Sequence, residues 1–337
     1  MKTVLVTGGS GFLGGWCVAE LLRRGYRVRT TVRDLSREPG VRAGVASQVD
    51  AGDHLTVLGA DLGSDDGWEG AVQGCDYVLH VASPFPTVQP KDPDELIVPA
   101  REGTLRVLRA SLEAGVSRVV VTSSVAAVGG STGHSPTPLT EADWTDADNP
   151  KLTPYTRSKT IAERAAWDFV GERGDAGRLA VVNPGAILGP VLGDGRSFSL
   201  ELIERLLKGM PGTPRLGYSI VDVRDVADLQ IRAMTAAEAG GERFISVNRF
   251  LWMSEVAEVL RDRLGTAATK VPRRKVPDLV VRGMGIFDPS VRSIVGQLGR
   301  RVEMSSERAR SLLGWSPRPV EETIVDCARS LIDERAV

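Results

Sequence analysis

A chain of 337 residues, 42% hydrophobic and 25% charged, has the ordinary balance of a folded globular protein and length enough for about two domains. Its formal net charge of −1 leaves no basic footprint for nucleic acid or an anionic membrane. Three dispersed cysteines (Cys17, Cys75, Cys327) and three histidines (His54, His80, His134) supply neither a disulfide framework nor a metal cluster, so no metal is expected.

The opening MKTVLVTGG superficially resembles a signal peptide, but its apolar run is short and breaks into glycines. No apolar run reaches the roughly 18 residues of a membrane span, and a cytoplasmic protein is expected. Residues 2–7 (KTVLVT) are rich in β-branched side chains and predict a buried strand. TGGSGFLGG (7–15) follows at once. Gly9, Gly11 and Gly14 fit G-x-G-x-x-G, while Gly8, Gly11 and Gly14 fit G-x-x-G-x-x-G. A helix is predicted over 12–24, with Leu13, Cys17 and Leu21 on one face and Gly25 as its stop. Glycines between a strand and a helix are what a dinucleotide pyrophosphate requires: a tight turn, close backbone approach and helix N-terminal amides.

Residues 26–33, 55–62, 76–82, 118–124 and 179–185 read as further strands, with helical stretches between them, the clearest at 100–115. That alternation predicts an α/β fold, a Rossmann-type doubly wound parallel sheet. After residue 185 the rhythm loosens into helices at 197–209 and 253–265 and one strand at 242–248. The expected division is a nucleotide-binding domain over 1–185, with 216–248 returning to it, and a smaller, mainly helical substrate domain from the rest of 186–337. Two proline-rich stretches, 84–99 and 131–154, each follow a strand end and are candidate lids.

The second strand ends TTVRD. A guanidinium there, from Arg33 and from Arg37 a turn later, suits the 2′-phosphate of NADP; Asp34 beside it would suit the free ribose of NAD. Tyr155 and Lys159 stand at i and i+4 on a predicted helix, hence on one face. A phenol is a poor acid or base at neutral pH, and a neighbouring ammonium lowers its pKa. Ser123 and Ser124 close the strand 118–124, where open α/β sheets bind ligands, and a serine hydroxyl there could hold a carbonyl oxygen.

TGGSGFLG, Asp61-Leu62, HVASP (80–84), TSS (122–124), YTRSK and NPGAILGP (183–190) together resemble the extended short-chain dehydrogenase/reductases. Within them the chain is most similar to the dihydroflavonol-reductase-like branch of plant dihydroflavonol reductases, cinnamoyl-CoA reductases and yeast methylglyoxal reductase. IVDVRDVADLQIRAM (220–234) and LLGWSPRPVEETIVD (312–326) extend the likeness over nearly the whole chain. The resemblance implies NADP(H) as cofactor. It implies Ser124 as the catalytic serine, Tyr155 as the acid/base and Lys159 as its partner, the last also binding the nicotinamide ribose. Gly8, Gly11, Phe12, Leu13 and Gly14 match the pyrophosphate turn, which makes Gly9 incidental. Arg33 and Arg37 match the 2′-phosphate clamp, and Asp61 and Leu62 the adenine site. Val81, Ala82 and Ser83 would flank the adenosine ribose and phosphates, and Pro184 and Ile187 the nicotinamide.

The reaction this implies is NADPH-dependent reduction of an aldehyde or ketone to a chiral alcohol, the work of a carbonyl reductase or ketoreductase. Tyr155 would give the proton, Ser124 orient the oxygen and Lys159 lower the phenol pKa. A nucleotide-sugar epimerase or dehydratase, a 3-hydroxysteroid dehydrogenase and a non-catalytic NADP-sensing regulator are the rivals. Where plant dihydroflavonol reductases carry an asparagine this chain has Gly129, and KLTPYTRSK lacks the cinnamoyl-CoA reductase signature, so neither plant substrate is implied. The expected partner is a small carbonyl compound, with no nucleic acid and no membrane, bound by a monomer or homodimer.

Overall fold

The computed structural model describes residues 1–84, 90, 92–133, 135–193, 195 and 197–336. In chain order its strands are β1 (Thr3–Val6), β2 (Arg27–Val32), β3 (Leu55–Gly59), β4 (Tyr77–His80), β5 (Arg118–Thr122), β6 (Leu179–Pro184), β7 (Ala186–Leu188), β8 (Gly217–Asp222), β9 (Arg243–Ser246) and β10 (Arg249–Trp252). Helices α1 (Phe12–Arg23), α2 (Glu38–Ala46), α3 (Trp68–Val72), α4 (Asp94–Glu113), α5 (Ala126–Gly129) and α6 (Pro154–Glu172) fall between the strands of the first half. Helices α7 (Phe198–Lys208), α8 (Val223–Thr235), α9 (Met253–Leu264), α10 (Asp278–Phe287), α11 (Pro289–Val295), α12 (Glu307–Leu313) and α13 (Val320–Ala336) follow.

Seven strands pair in parallel in the order β3-β2-β1-β4-β5-β6-β9, the doubly wound arrangement. Alternate side chains serve opposite faces. Val4, Val6, Val120 and Val182 join α1 and α8 in one core, while Leu5, Val78, Val119 and Val121 join α4 and α6 in another. Burial on both faces explains why β5 reads as an unbroken apolar run rather than an alternating one. Loops at the carboxyl ends of β1, β4, β5 and β6 therefore gather around the middle of the sheet, where the strand order reverses.

The second half keeps the expected mainly helical character, in α7 and α9 to α13, and adds a small sheet to it. β7, β8 and β10 form a three-stranded sheet in the order β10-β8-β7, with β7 parallel and β10 antiparallel to β8. Strands of three to six residues are too short to show a period of their own. Within 216–248, β9 takes the edge of the large sheet beside β6 and α8 covers its face, whereas β8 belongs to the small sheet.

α4 begins at Asp94 and carries Pro99 inside it, so the end of the proline-rich stretch 84–99 is helical, six residues ahead of the expected start at 100. Residues 85–89 and 91 of that stretch, and His134 of the other, lie outside the described residues. The segment 131–154 is tied down at several points: Leu139 N–H donates to Glu303 O at 2.9 Å and Thr145 N–H to Ala127 O at 2.9 Å. Among the described residues no helix is long and apolar enough to cross a membrane.

Candidate active site

The glycine turn is built by close approach. Gly8 adopts φ +75°, and a Cβ on it would stand 3.1 Å from Ala82 Cβ. A Cβ on Gly14 would stand 2.2 Å from the Gly8 carbonyl oxygen. One on Gly9 would stand 2.2 Å from Thr30 Oγ1, which corrects the expectation that Gly9 is incidental: it is the point where the turn crosses β2. Gly11 caps α1 without a side chain, and no acid sits in the first turn, so Phe12, Leu13 and Gly14 bring uncapped amides to the turn. A cradle this tight, with its helix terminus left to the backbone, fits a pyrophosphate.

Thr7 fixes the turn to β4. Its hydroxyl accepts from Val81 N–H (3.0 Å) and Ala82 N–H (2.9 Å), which leaves its own proton for His80 Nδ1 at 2.9 Å. His80 is therefore held as the neutral tautomer with a bare Nδ1. Burial first, and the charge of Lys159 second, push it down to about 3. Val81, Ala82 and Ser83 thus flank the turn, all half-buried.

At the end of β2, Asp34 spends its carboxylate locally: Oδ1 accepts from Ser36 N–H at 2.8 Å, capping the turn Leu35–Arg37 and holding the acid below its ordinary range. Arg33 and Arg37 are exposed, and their side chains make no hydrogen bond or ion pair among the described residues. Arg37 lines a cavity of about 240 Å³ with Gly9, Ser10, Ser36 and Leu192; Arg33 stands outside its wall. After β3, Asp61 Oδ1 accepts from Gly63 N–H at 2.6 Å, and the Leu62 carbonyl accepts from Arg106. Pro184 and Ile187 flank the step from β6 to β7, where a Cβ on Gly185 would stand 2.1 Å from Ser219 O.

The hydroxyl, phenol and amine converge at the ends of β5 and α6. Thr153 caps α6 by accepting from Thr156 N–H, and Pro154 occupies its first turn, so Tyr155 is presented at the helix start. Ser124 is hydrogen-bonded to the Tyr155 side chain. Lys159, one turn on, reaches Thr122 O at a long 3.5 Å. Tyr155 and Lys159 keep some solvent access yet sit deep enough for desolvation to govern both. Burial raises the Tyr155 phenol, with the Ser124 bond acting against it. Lys159 itself is pushed down to about 8 by burial, with Glu163 opposing. Ser123, the other candidate, turns away and donates to Glu163 Oε2 at 2.5 Å.

Residues 4–247 match the NAD dependent epimerase/dehydratase family. The chain belongs to that family, the extended short-chain dehydrogenase/reductases. It is 34% identical over 340 residues to a cinnamoyl-CoA reductase (CAD2) of Medicago truncatula, covering 99% of this chain and 97% of that one. It is 35% identical over 274 residues to a dihydroflavonol 4-reductase of Zea mays, covering 77% and 74%. A solved structure of yeast methylglyoxal/isovaleraldehyde reductase Gre2 complexed with NADPH superposes with a TM-score of 0.84 at 25% identity, covering 99% of each chain.

Sequence reasoning about this reductase-family member missed four groups around the site: Thr7, Glu163, Asn183 and Arg243. Only Glu163 had a readable signal, four residues after Lys159 on the face that carries Tyr155. The others act across the sheet and depend on strand order.

Proposed function

We propose that this family member is an NADPH-dependent carbonyl reductase that converts an aldehyde or ketone to a chiral alcohol. The observation that carries the reading is the hydrogen bond between Tyr155 and Ser124, with Lys159 one helical turn beyond, at the carboxyl end of β5. NADPH, when bound, supplies the hydride. The glycine turn holds its pyrophosphate through α1 amides, and Arg37 and Arg33 are the cations for a 2′-phosphate, Asp34 being engaged by Ser36. Ser124 orients the carbonyl oxygen, and Tyr155 donates its proton to that oxygen as negative charge develops there. A raised phenol pKa suits that direction, because it keeps the proton on Tyr155 and an alkoxide is still the stronger base. The Lys159 ammonium stabilises the phenolate left behind.

Gly129 supports a substrate other than a plant flavonoid. A Cβ there would stand 2.6 Å from Leu139 Cδ1 and 2.9 Å from Met304 Cε, so the position faces the side-chain ends of an apolar cluster and no polar partner. A carbonyl compound of moderate size remains the substrate class.

The test is a panel of aldehydes and ketones followed at the NADPH absorbance band. Net consumption of NADPH separates a reductase from an epimerase, which returns its hydride. Tyr155→Phe should lower turnover by roughly 10²–10⁴-fold with NADPH binding nearly unchanged. Undiminished turnover in that variant removes the assignment.

A further inference from the structure

A buried carboxylate lies beneath the three reacting groups. Glu163 is 1% exposed and accepts from three directions: Ser123 Oγ (2.5 Å) and Asn183 Nδ2 (2.7 Å) at Oε2, and Arg243 Nε (2.5 Å) at Oε1. Asn183 Nδ2 also donates to the Ser124 carbonyl at 3.2 Å. The carboxylate thus joins α6 to the ends of β5, β6 and β9, with one atom between it and the backbone of Ser124. Tyr155, Lys159 and Glu163 recur every four residues on α6, so the same helix face carries proton donor, ammonium and carboxylate.

We propose that Glu163 is a positioning residue of the active site, which sets Ser124 through Asn183 and holds Lys159 in its ammonium form by standing as its buried counter-charge. The inference rests on the reading of Tyr155 and Lys159 given above. Burial works against a charged Lys159, and Glu163 is the group that opposes it. From β4 the neighbouring titratable group is His80, held neutral on Thr7 and so without charge to offer. Tyr155, on the helix itself, is kept protonated. No charged group of α4, packed along α6, acts on the lysine. From β9, Arg243 faces Glu163 and is itself anchored by the carbonyls of Glu141 (2.7 Å) and Asp143 (3.0 Å) and stacked 3.6 Å over Trp144. Glu141, in the same layer, is engaged by Ile245 N–H at 2.9 Å. Glu163 is thereby shared between a fixed guanidinium and the active-site ammonium.

The chain has only seven lysines, so a ¹³Cε-lysine NMR titration of the full-length protein resolves Lys159 directly, with Lys159→Met to assign its signal. Glu163→Gln should lower the Lys159 midpoint by about one pH unit. The alkaline limb of kcat/KM should move down with it. Arg243→Gln, which leaves the carboxylate without its cation, should move both upward. Ser123→Ala keeps the charge and should leave the midpoint in place. A Lys159 midpoint unchanged in Glu163→Gln, with kcat merely reduced at every pH, overturns the proposal and leaves Glu163 a structural anchor. Should Glu163→Gln fail to fold, Arg243→Gln decides by the sign of its shift, and an unmoved midpoint there overturns the proposal equally. Active Tyr155→Phe would remove the underlying reading; inactive Tyr155→Phe with an unmoved lysine removes this inference alone.

Discussion

Gly14 packs so closely on Gly8 that a Cβ at the first would lie 2.2 Å from the carbonyl oxygen of the second and 2.9 Å from its carbonyl carbon. Both obstacles are backbone and cannot swing aside. Gly14→Ala is expected to cost about 2 kcal/mol of stability and to weaken NADPH binding by roughly tenfold or more. Gly15, its neighbour, meets nothing nearer than 3.7 Å, and Gly15→Ala should stabilise α1 by up to about 1 kcal/mol. Urea denaturation of the two variants, with NADPH titration, checks the contrast.

The Arg33 and Arg37 side chains stand exposed without a hydrogen bond or ion pair among the described residues, beside an aspartate already committed to Ser36. Replacing either with alanine removes a charge-assisted bond to a 2′-phosphate, on the order of 1.5–3 kcal/mol. Kd for NADPH should rise by roughly 10-fold or more while Kd for NADH stays put. Arg37, on the cavity wall, should show the larger change. Equal wild-type affinities for the two dinucleotides would remove the clamp.

The pH dependence of carbonyl reduction should have an alkaline limb and no histidine limb. Lys159, pushed down to about 8, loses its charge as pH rises through that value, so kcat/KM falls above it. The Tyr155 phenol, raised above its ordinary value, keeps its proton throughout that range. His80 stays neutral from neutral pH far into acid and adds no step. A pH–rate profile from pH 5.5 to 9.5 reads both statements.

His80 carries a stability signature of its own. Its folded pKa of about 3 lies below the unfolded 6.5, so below pH 6.5 the unfolded chain binds the extra proton. Stability from this group is complete above pH 6.5 and falls by up to about 1.4 kcal/mol per unit as pH drops towards 3. Urea denaturation at pH 7 and pH 5 should show the loss, in a window above that of the carboxylates. His80→Asn, whose amide oxygen can still accept from Thr7, should flatten it.

The large sheet was legible because its inner strands β1, β4, β5 and β6 are buried on both faces and read as largely apolar runs. The small sheet was not, since β7 borrows its burial from β8 and neither has a period to read. The same contrast holds in the site. Tyr155 and Lys159 share a helix face, a relation that spacing alone reveals. Ser124 could be separated from Ser123 only by resemblance, and the structure adds the physical reason: one faces Tyr155, the other Glu163. Gly9 was misjudged because its constraint comes from Thr30, on another strand.

The last strand of the large sheet comes from between two strands of the small one: β9 pairs with β6, and its Arg243 supplies the cation for Glu163. During synthesis, which proceeds from the N-terminus, the first six strands emerge with β6 still an open edge and a carboxylate still lacking its arginine. Severing the chain near residue 185 would leave that edge bare for good. The large sheet is therefore complete only once translation has passed Ser246.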